Sequence, residues 1–208
     1  MAYDFLDMLT TPAVLAAQEA NGSRVLWTRG RDRPSERIGA SEAAFIAARD
    51  SFYLASIGEN GWPYIQHRGG PPGFLKVLDE RTLGFADFRG NRQYISLGNA
   101  TANDRVAAFL MDYPHRTRLK ILAHAEAREL TPELAEKLLL PGYRGIPERA
   151  ILLHLQAFDW NCPQHITPRY TEAEIRSAIA PITARLAELE AENETLKAEL
   201  AAYSGRAT

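Results

Sequence analysis

Two consecutive hairpin patterns in the middle of the chain constrain its fold most strongly. The runs FYLASIG and WPYIQHR alternate apolar and polar residues, which is the period of a half-buried strand. Asn60 and Gly61 lie between them, and Asn-Gly favours a type I′ turn because both central residues of that turn need positive φ. A second pair of runs, Phe74–Leu78 and Leu83–Phe88, follows across four polar residues. This series predicts an antiparallel sheet.

The second half of the chain adds three more strand patterns. We predict strands over Arg105–Asp112, Leu119–Leu130 and Ala150–Trp160. Strands that follow one another through short links pair with each other, and few long helices interrupt the series. We therefore predict a mainly β, α+β fold, built on a six-stranded, closed or nearly closed antiparallel barrel with peripheral helices.

Capping patterns predict the helices around this barrel. Residues 4–21 look helical, and the polar stretch that follows is interpreted as a loop or a short strand around Val25–Trp27. Ser41 is expected to cap the next helix, and Thr131 caps another in front of a proline. A short helical turn is predicted over 92–98, before Asn99.

The balance of charges excludes several classes of protein. The 208 residues carry 24 basic and 26 acidic side chains, a formal net charge of −2, which argues against a dedicated nucleic-acid-binding protein. No apolar run has the length of a membrane span, and the first residues lack the basic start of a signal peptide. The single cysteine, Cys162, cannot form an internal disulfide. We expect a cytoplasmic protein without nucleic-acid or membrane partners.

The sequence contains no convincing set of catalytic residues. Its five histidines are dispersed, and no metal-site spacing is present. A serine nucleophile elbow, a P-loop and a dinucleotide-binding fingerprint are also absent. Cys162 and His165 are three residues apart in a loop, which is too little to predict a nucleophile. A small barrel of this kind favours a cofactor that supplies the chemistry.

Basic side chains stand at the ends of strand-like runs around a glycine- and proline-rich turn. They are Arg68, Lys76, Arg89 and Arg92, and three glycines, Gly69, Gly70 and Gly73, lie in the turn. Glycines let a backbone approach a bound group or take positive φ, and arginines beside free N–H groups suit a phosphate. The alternative is an ordinary barrel loop with solvated arginines.

The segment 161–170, NCPQHITPRY, is predicted to be an irregular loop because it contains two prolines. It carries side chains that often serve function: Asn161, Cys162, Gln164, His165 and Arg169. The alternative is a plain connector into the last helix.

The last part of the chain changes character and predicts a C-terminal helix with a heptad pattern. Positions a are Ile179, Leu186, Asn193 and Leu200, and positions d are Ile182, Leu189, Leu196 and Tyr203. A lone asparagine at position a favours a parallel two-stranded coiled coil. The alternative is a helix that packs its leucines on its own barrel. Three segments follow: 1–40, helical with a loop; 41–170, the barrel; and 171–208, the helix.

The middle of the chain resembles the pyridoxamine 5′-phosphate oxidase-like family of FMN-binding split barrels, in its flavin-nucleotide-binding branch. The resemblance rests on FYLASIGENGWPYIQHRGGPPGFLKVLD, LGFADFRGNRQYISLGN, RVAAFLMDY with RLKILAHAE, and FDWNCPQHITPR. It implies a six-stranded split barrel that forms a homodimer, with FMN in the groove between the subunits. It also implies a small-molecule substrate.

The same resemblance implies the residues that contact the cofactor. Arg68 and Lys76, with the neighbouring Leu75, would hold the phosphate and the flavin ring. Asp87 and Phe88 would lie against the ring through backbone contacts, and Asn91, Arg92 and Gln93 would close on the phosphate. The loop from the partner subunit would cover the flavin with Trp160, Asn161, Cys162, His165 and Arg169. No side chain is implied to be catalytic, and no metal ligand.

Several departures from the family pattern weigh against pyridoxamine phosphate oxidation. The Arg-x-x-Leu-Leu-Lys spacing is stretched by GGPPG, the Ser-Arg-Lys triplet is changed, and the product-binding Trp…Arg-Leu-x-Pro ending is absent. We expect an FMN-dependent oxidoreductase acting on another small substrate. Two alternatives stay open: a non-catalytic, stress-related protein that binds flavin or another cofactor such as a deazaflavin or haem, and a dimeric scaffold with an empty barrel.

Overall fold

The computed structural model describes residues 5–27, 36–160 and 163–204. The strands of the described part are β1 Ser51–Ile57, β2 Pro63–Gly69, β3 Lys76–Asp79, β4 Thr82–Phe88, β5 Arg105–Asp112, β6 Thr117–Arg128 and β7 Pro147–Trp160. Its helices are α1 Phe5–Leu9, α2 Pro12–Ala20, α3 Arg24–Trp27, α4 Ala40–Ala47, α5 Ile95–Ala102, α6 Pro132–Leu138 and α7 Glu172–Ser204. The chain divides into a unit that ends at Ile166 and a unit that begins at Thr167.

The strands form one antiparallel sheet in the order β2-β1-β5-β6-β7-β4-β3. Phe52 of β1 and Phe85 of β4 are four places apart in that order, which would separate them by about 19 Å in a flat sheet. Their ring centroids are 5.4 Å apart, so the sheet curls into a barrel. The predicted α+β class is confirmed, but the sheet has seven strands rather than six, because each of the seven strand-like runs in the sequence, Phe74–Leu78 included, contributes its own strand.

The core forms where the inward side chains of the curled sheet meet. Phe52 and Leu54 of β1 are 1% and 3% exposed, while Tyr53 between them faces outward, as the alternation predicts. Phe74, just before β3, is buried and stacks on Phe52 at 5.7 Å. α4 adds the fully buried Ile46. Burying an aliphatic or aromatic side chain contributes about 1.5–3 kcal/mol, so this layer supplies much of the barrel's stability.

Three local predictions differ from the structure. Residues Val25–Trp27 belong to the short helix α3, so the strand alternative was wrong. α4 begins after Gly39 rather than after Ser41, because the Glu42 carboxylate accepts the Gly39 N–H at 3.1 Å. The β1–β2 hairpin is confirmed, but only Gly61 takes positive φ in its turn, so the turn is not type I′.

The second unit contains α7, a continuous helix of 33 residues with Pro181 in its interior. Thr171 and Glu174 start it by a reciprocal cap: the Glu174 N–H donates to Thr171 Oγ1 at 3.2 Å, and the Thr171 N–H donates to Glu174 Oε2 at 2.7 Å. Searched over the described residues, neither α7 nor any other helix combines the length and the apolar character that crossing a membrane requires.

Candidate functional site

A buried ion pair closes one side of the barrel. Arg68 is the cross-strand partner of Phe52, so it shares the inward face of β2, and Asp87 lies two residues after the inward Phe85 on β4. Arg68 Nη1 lies 2.6 Å from Asp87 Oδ1, and the two side chains are only 17% and 10% exposed. The side chain that the sequence suggested as a phosphate ligand is therefore already engaged by a carboxylate of its own chain.

A second arginine, Arg149, reaches the same carboxylate from β7. The sheet register sets it directly opposite Asp87, and its Nε lies 3.4 Å from Asp87 Oδ2. The Nε atoms of Arg68 and Arg149 are both buried without a hydrogen-bond partner. Buried donors in folded proteins are nearly always satisfied, and the small cavity beside Arg68 has room for a water molecule as an acceptor.

Glu148 forms the second anionic centre of this region. It accepts hydrogen bonds from Arg89 Nε at 2.9 Å, from the Tyr94 hydroxyl at 3.1 Å and from Arg149 Nη2 at 3.1 Å. The hydrogen bond from Arg89, followed by those from Tyr94 and Arg149, holds the pKa of Glu148 below its usual range against the opposing effect of desolvation. Glu148 is therefore ionised at neutral pH and fixes the two arginines that flank it.

The turn before α5 is strained at two residues. Arg92 and Tyr94 have φ values of 61° and 54°, in the left-handed region that costs a residue with a side chain free energy. The Asn91 Oδ1 accepts the Gln93 N–H at 3.2 Å and so stabilises the turn. The Arg92 Nε donates to the Tyr94 hydroxyl at 3.4 Å. Strain of this kind is concentrated at functional sites.

The N-terminus of α5 is left open. Tyr94, its N-cap residue, makes no side-chain capping hydrogen bond, so the first N–H groups of the helix are available to an anion. Two buried polar contacts fix α5 against the first hairpin. The Ser96 hydroxyl donates to Gln66 Oε1 at 2.7 Å, and Asn99 Nδ2 donates to Ser56 Oγ at 3.0 Å.

We call these residues the arginine cluster: Arg68, Arg89, Arg92 and Arg149 with their partners Asp87, Glu148 and Tyr94. Three of its guanidinium groups pair with two carboxylates, and the fourth, that of Arg92, bonds to the Tyr94 hydroxyl, so the cluster has an excess of two positive charges. The cavity beside Arg68 and Ser96 has a volume of about 20 Å³, room for a water molecule only. An anion the size of phosphate would therefore bind on the open side, near Arg89 and Arg92.

The remaining family-implied residues of the barrel lie elsewhere. Leu75 is 1% exposed and belongs to the core. Phe88 packs its ring on Tyr143 at 4.9 Å. Lys76 is half-buried on β3, and within the described part of the chain its amine forms no ion pair and does not contact the arginine cluster. Gly70 has a packing role, because a Cβ there would lie 2.8 Å from the Phe74 side chain.

Trp160, the first residue of the predicted cover loop, is not brought to the arginine cluster within one chain. Trp160 donates its Nε1–H to Glu42 Oε1 at 2.9 Å and packs on Phe45 at 4.9 Å. It lies eleven residues beyond Arg149 on β7, a distance of up to about 36 Å along a strand. Asn161 and Cys162 lie outside the described residues. His165 is exposed with a φ of 62°, and Arg169 belongs to the second unit.

Sequence reasoning missed Arg149, Glu148, Tyr94, Ser96 and Gln66. The predicted last strand began at Ala150, one residue too late to include the pair Glu148-Arg149. The signal that could have found Glu148 and Arg149 is a charged pair directly after Pro147, at the start of an apolar strand. Over the described residues, no group of histidine, cysteine, aspartate and glutamate side chains could hold a metal ion.

Comparisons with known proteins found a matching family and several similar solved structures. The sequence model described as pyridoxamine 5′-phosphate oxidase matches residues 40–154, more than half of the chain. No curated protein matches the chain.

Three solved structures are similar to this chain, and each of them is matched over most of its own length. A candidate pyridoxamine 5′-phosphate oxidase from Lactobacillus delbrueckii is 19% identical, with 60% of this chain and 95% of that chain covered and a TM-score of 0.47. An FMN-binding protein from Syntrophomonas wolfei is 13% identical, with coverage of 74% and 97% and a TM-score of 0.45. A protein from Clostridium acetobutylicum, related to general stress protein 26 of B. subtilis, is 12% identical, with coverage of 65% and 94% and a TM-score of 0.44.

Proposed function

Because this chain belongs to the pyridoxamine 5′-phosphate oxidase family, we propose that its barrel binds FMN and that the arginine cluster holds the phosphate of the cofactor. The single observation that carries the proposal is the convergence of three arginines on two carboxylates, with a fourth arginine, Arg92, in the turn before an uncapped helix start. Guanidinium groups and helix N-termini are the two protein features best suited to a phosphate dianion.

The cluster fits a phosphate in three respects. Its excess of positive charge matches a dianion, and the exposed guanidinium groups of Arg89 and Arg92 offer donors on the open side of the cluster. The carboxylates of Asp87 and Glu148 hold the arginines in place before the cofactor binds. Each charge-assisted hydrogen bond to the phosphate is expected to contribute about 1.5–3 kcal/mol.

Bound FMN supplies hydride transfer on its ring system, so the protein does not need a catalytic side chain. The residues of this chain bind and orient the cofactor. Arg89 and Arg92 lie on the open side of the cluster, where an anion can enter, and Tyr94 links Arg92 to Glu148. We propose an FMN-dependent oxidoreductase acting on a small molecule. The departures from the family motifs argue against pyridoxamine phosphate as that substrate.

A homodimer is part of this proposal. The outer face of β1, β2, β5 and β6 carries an apolar groove of about 600 Å³, with Tyr53 and Ile65 among the side chains that line it. These two are 41% and 65% exposed, and apolar surface of this extent is typical of an interface. We propose, from the family resemblance, that the segment 160–169 of one chain covers the flavin of the other. The cytoplasmic location stays a prediction of the sequence.

One observation favours a second candidate, a non-catalytic flavin-binding protein. Both carboxylates of the cluster are already engaged by arginines, and no histidine contacts it within the described residues. The site therefore offers binding groups but no free acid or base. Turnover separates the two candidates: an oxidoreductase reoxidises its bound reduced flavin with some acceptor far faster than free FMN reacts.

The first experiment is an absorbance spectrum of the purified protein, before and after incubation with FMN and desalting. We expect retained flavin bands in the wild type and in Arg128→Ala, an exposed arginine of β6 outside the cluster. The bands should be lost in Arg92→Ala and in Arg149→Ala. A wild-type protein that retains a deazaflavin or haem but not FMN, or no cofactor at all, would overturn the assignment.

A further inference from the structure

The helix α7 carries a long apolar stripe. Taken by itself, the helix exposes between 45% and 69% of each large side chain in the stripe, which comprises Ile175, Ile179, Ile182, Leu186, Leu189, Leu196 and Leu200. We call these residues, together with Asn193, the a/d stripe. A helix of 33 residues is about 50 Å long, so the stripe is a long, exposed apolar surface.

We propose that α7 pairs with α7 of a second copy of this chain as a parallel, in-register, two-stranded coiled coil. This inference does not depend on the proposed function of the barrel. The stripe recurs at alternating intervals of four and three residues from Ile175 to Leu200. That 3.5-residue period drifts around a straight helix and stays on one seam only when two helices supercoil around each other.

Asn193 selects the parallel orientation. In a parallel pair, each position a faces the same position of the partner, so two Asn193 side chains meet and can bond to each other. In an antiparallel pair, position a packs against position d, where this helix has only apolar residues between Ile175 and Leu196. Asn193 would then be buried without a partner, which destabilises the antiparallel pair.

Charges beside the stripe select the register. In register, Arg185 at position g faces Glu190 at position e of the partner, and Glu192 faces Lys197. Symmetry doubles each pair, so four attractive pairs form. Within one helix, Arg185 and Lys197 each form an ion pair with a glutamate of the same helix, both at 2.9 Å. These pairs are exposed, and exposed ion pairs contribute little to stability.

A slip of one heptad reverses this pattern. It brings Arg185 against Lys197 and Glu192 against Glu190, and the only attraction between charges that remains is that of Glu199 with Lys197. It also moves each Asn193 opposite a leucine. The same side chains that stabilise the in-register pair therefore destabilise its closest competitor, as like charges do in coiled coils.

Disulfide trapping in the full-length chain tests the pairing. Cys162 is the only cysteine, so the background is Cys162→Ser. Leu196→Cys lies at position d, where parallel pairing brings the two introduced thiols together, and Thr195→Cys, its neighbour on the outer face, is the matched control. Under mild oxidation at micromolar protein we expect Leu196→Cys to form a covalent dimer at least about tenfold faster than Thr195→Cys.

Charge reversal tests the register independently. Arg185→Glu in the Leu196→Cys background should slow the trapping at least about threefold, and adding Glu190→Arg should restore it because attraction returns with the signs exchanged. Equal trapping rates at the two cysteine positions would overturn the proposal, since an antiparallel pair, another partner or an unpaired helix all leave Leu196→Cys without its twin. Trapping that ignores both charge changes would overturn the register. Neither readout depends on bound FMN.

Discussion

Arg68 Nη1 and Asp87 Oδ1 are 2.6 Å apart, although the strands that carry them, β2 and β4, are five places apart in the sheet. A flat sheet would separate these strands by about 24 Å. The ion pair therefore bridges the open side of the curled sheet, and it lies at the base of the proposed phosphate site.

The first prediction concerns the buried ion pair. Asp87→Ala should destabilise the cofactor-free protein by about 3 kcal/mol, because it leaves Arg68 as a buried charge without its carboxylate and removes one of the two carboxylates that pair with Arg149. Glu80→Ala is the matched control. Its pair with Arg37 has the same 2.6 Å separation, but the two side chains are 57% and 53% exposed, so the expected loss is below about 1 kcal/mol.

Urea unfolding at neutral pH measures both losses. Equal effects of Asp87→Ala and Glu80→Ala would show that burial does not govern the strength of the Arg68–Asp87 pair. The double variant Arg68→Met with Asp87→Leu should lose less unfolding free energy than the sum of the two single changes. In the double variant neither position keeps a buried charge that has lost its partner.

The second prediction separates phosphate binding from ring binding. Arg149→Ala and Arg92→Ala should each weaken FMN binding by about 10–100-fold and leave riboflavin binding within about twofold, because riboflavin lacks the phosphate. The ratio of the two dissociation constants, measured by flavin fluorescence, is insensitive to a general loss of folded protein. Arg128→Ala should leave that ratio unchanged. An equal loss of both ligands would place the arginines at the ring and not at the phosphate.

The third prediction concerns stability in acid. Burial would raise the pKa of Asp112, but hydrogen bonds from the His115 N–H at 3.0 Å and from the His115 ring, together with Arg49 at 2.9 Å, outweigh it and lower the pKa from 3.8. A lowered folded-state pKa means that the unfolded chain binds protons more readily. The stability that Asp112 contributes is therefore present above pH 3.8 and is lost as the pH falls through the lower folded value.

The amide introduced by Asp112→Asn does not titrate, so this variant should lose less stability than the wild type as the pH falls from about 6 to about 3. At about pH 6 the variant should be less stable than the wild type, because it lacks the charged carboxylate. Unfolding by urea at a series of pH values gives the two slopes. Parallel curves for the two proteins would contradict the role of Asp112 in the acid response.

The fourth prediction compares two glycines. A Cβ at Gly84 on β4 would lie within 3.2 Å of Leu78, Leu138 and Leu152, so Gly84→Ala should destabilise the barrel by about 1–3 kcal/mol through overpacking. A Cβ at Gly98 in α5 meets nothing within 4 Å, so Gly98→Ala should stabilise the protein by about 0.5–1 kcal/mol through helix propensity. Thermal and urea unfolding should show opposite signs, and a shared sign would be inconsistent with this packing around β4.

The strands, hairpins and helix starts could be predicted from the sequence alone, because they depend on residues that are neighbours in the chain. Alternation located the hairpins and the long strands, and Thr131 with Pro132 located the start of α6, where the Leu134 N–H donates to Thr131 Oγ1 at 3.4 Å. These signals are local because a strand has a period of two and a cap spans three residues. The heptad of the last helix is equally local, although its pairing is a proposal that one chain does not test.

The contacts between the charged residues of the site depend on the tertiary structure. Arg68, Asp87 and Arg149 are joined by the curl and the register of the sheet, and neither property is encoded within one strand. The sequence marked Arg68 as a residue at the end of a strand but could not show that a buried carboxylate engages it. Contacts between residues far apart in the chain depend on how the whole sheet closes, and this is why the arginine cluster emerged only in three dimensions.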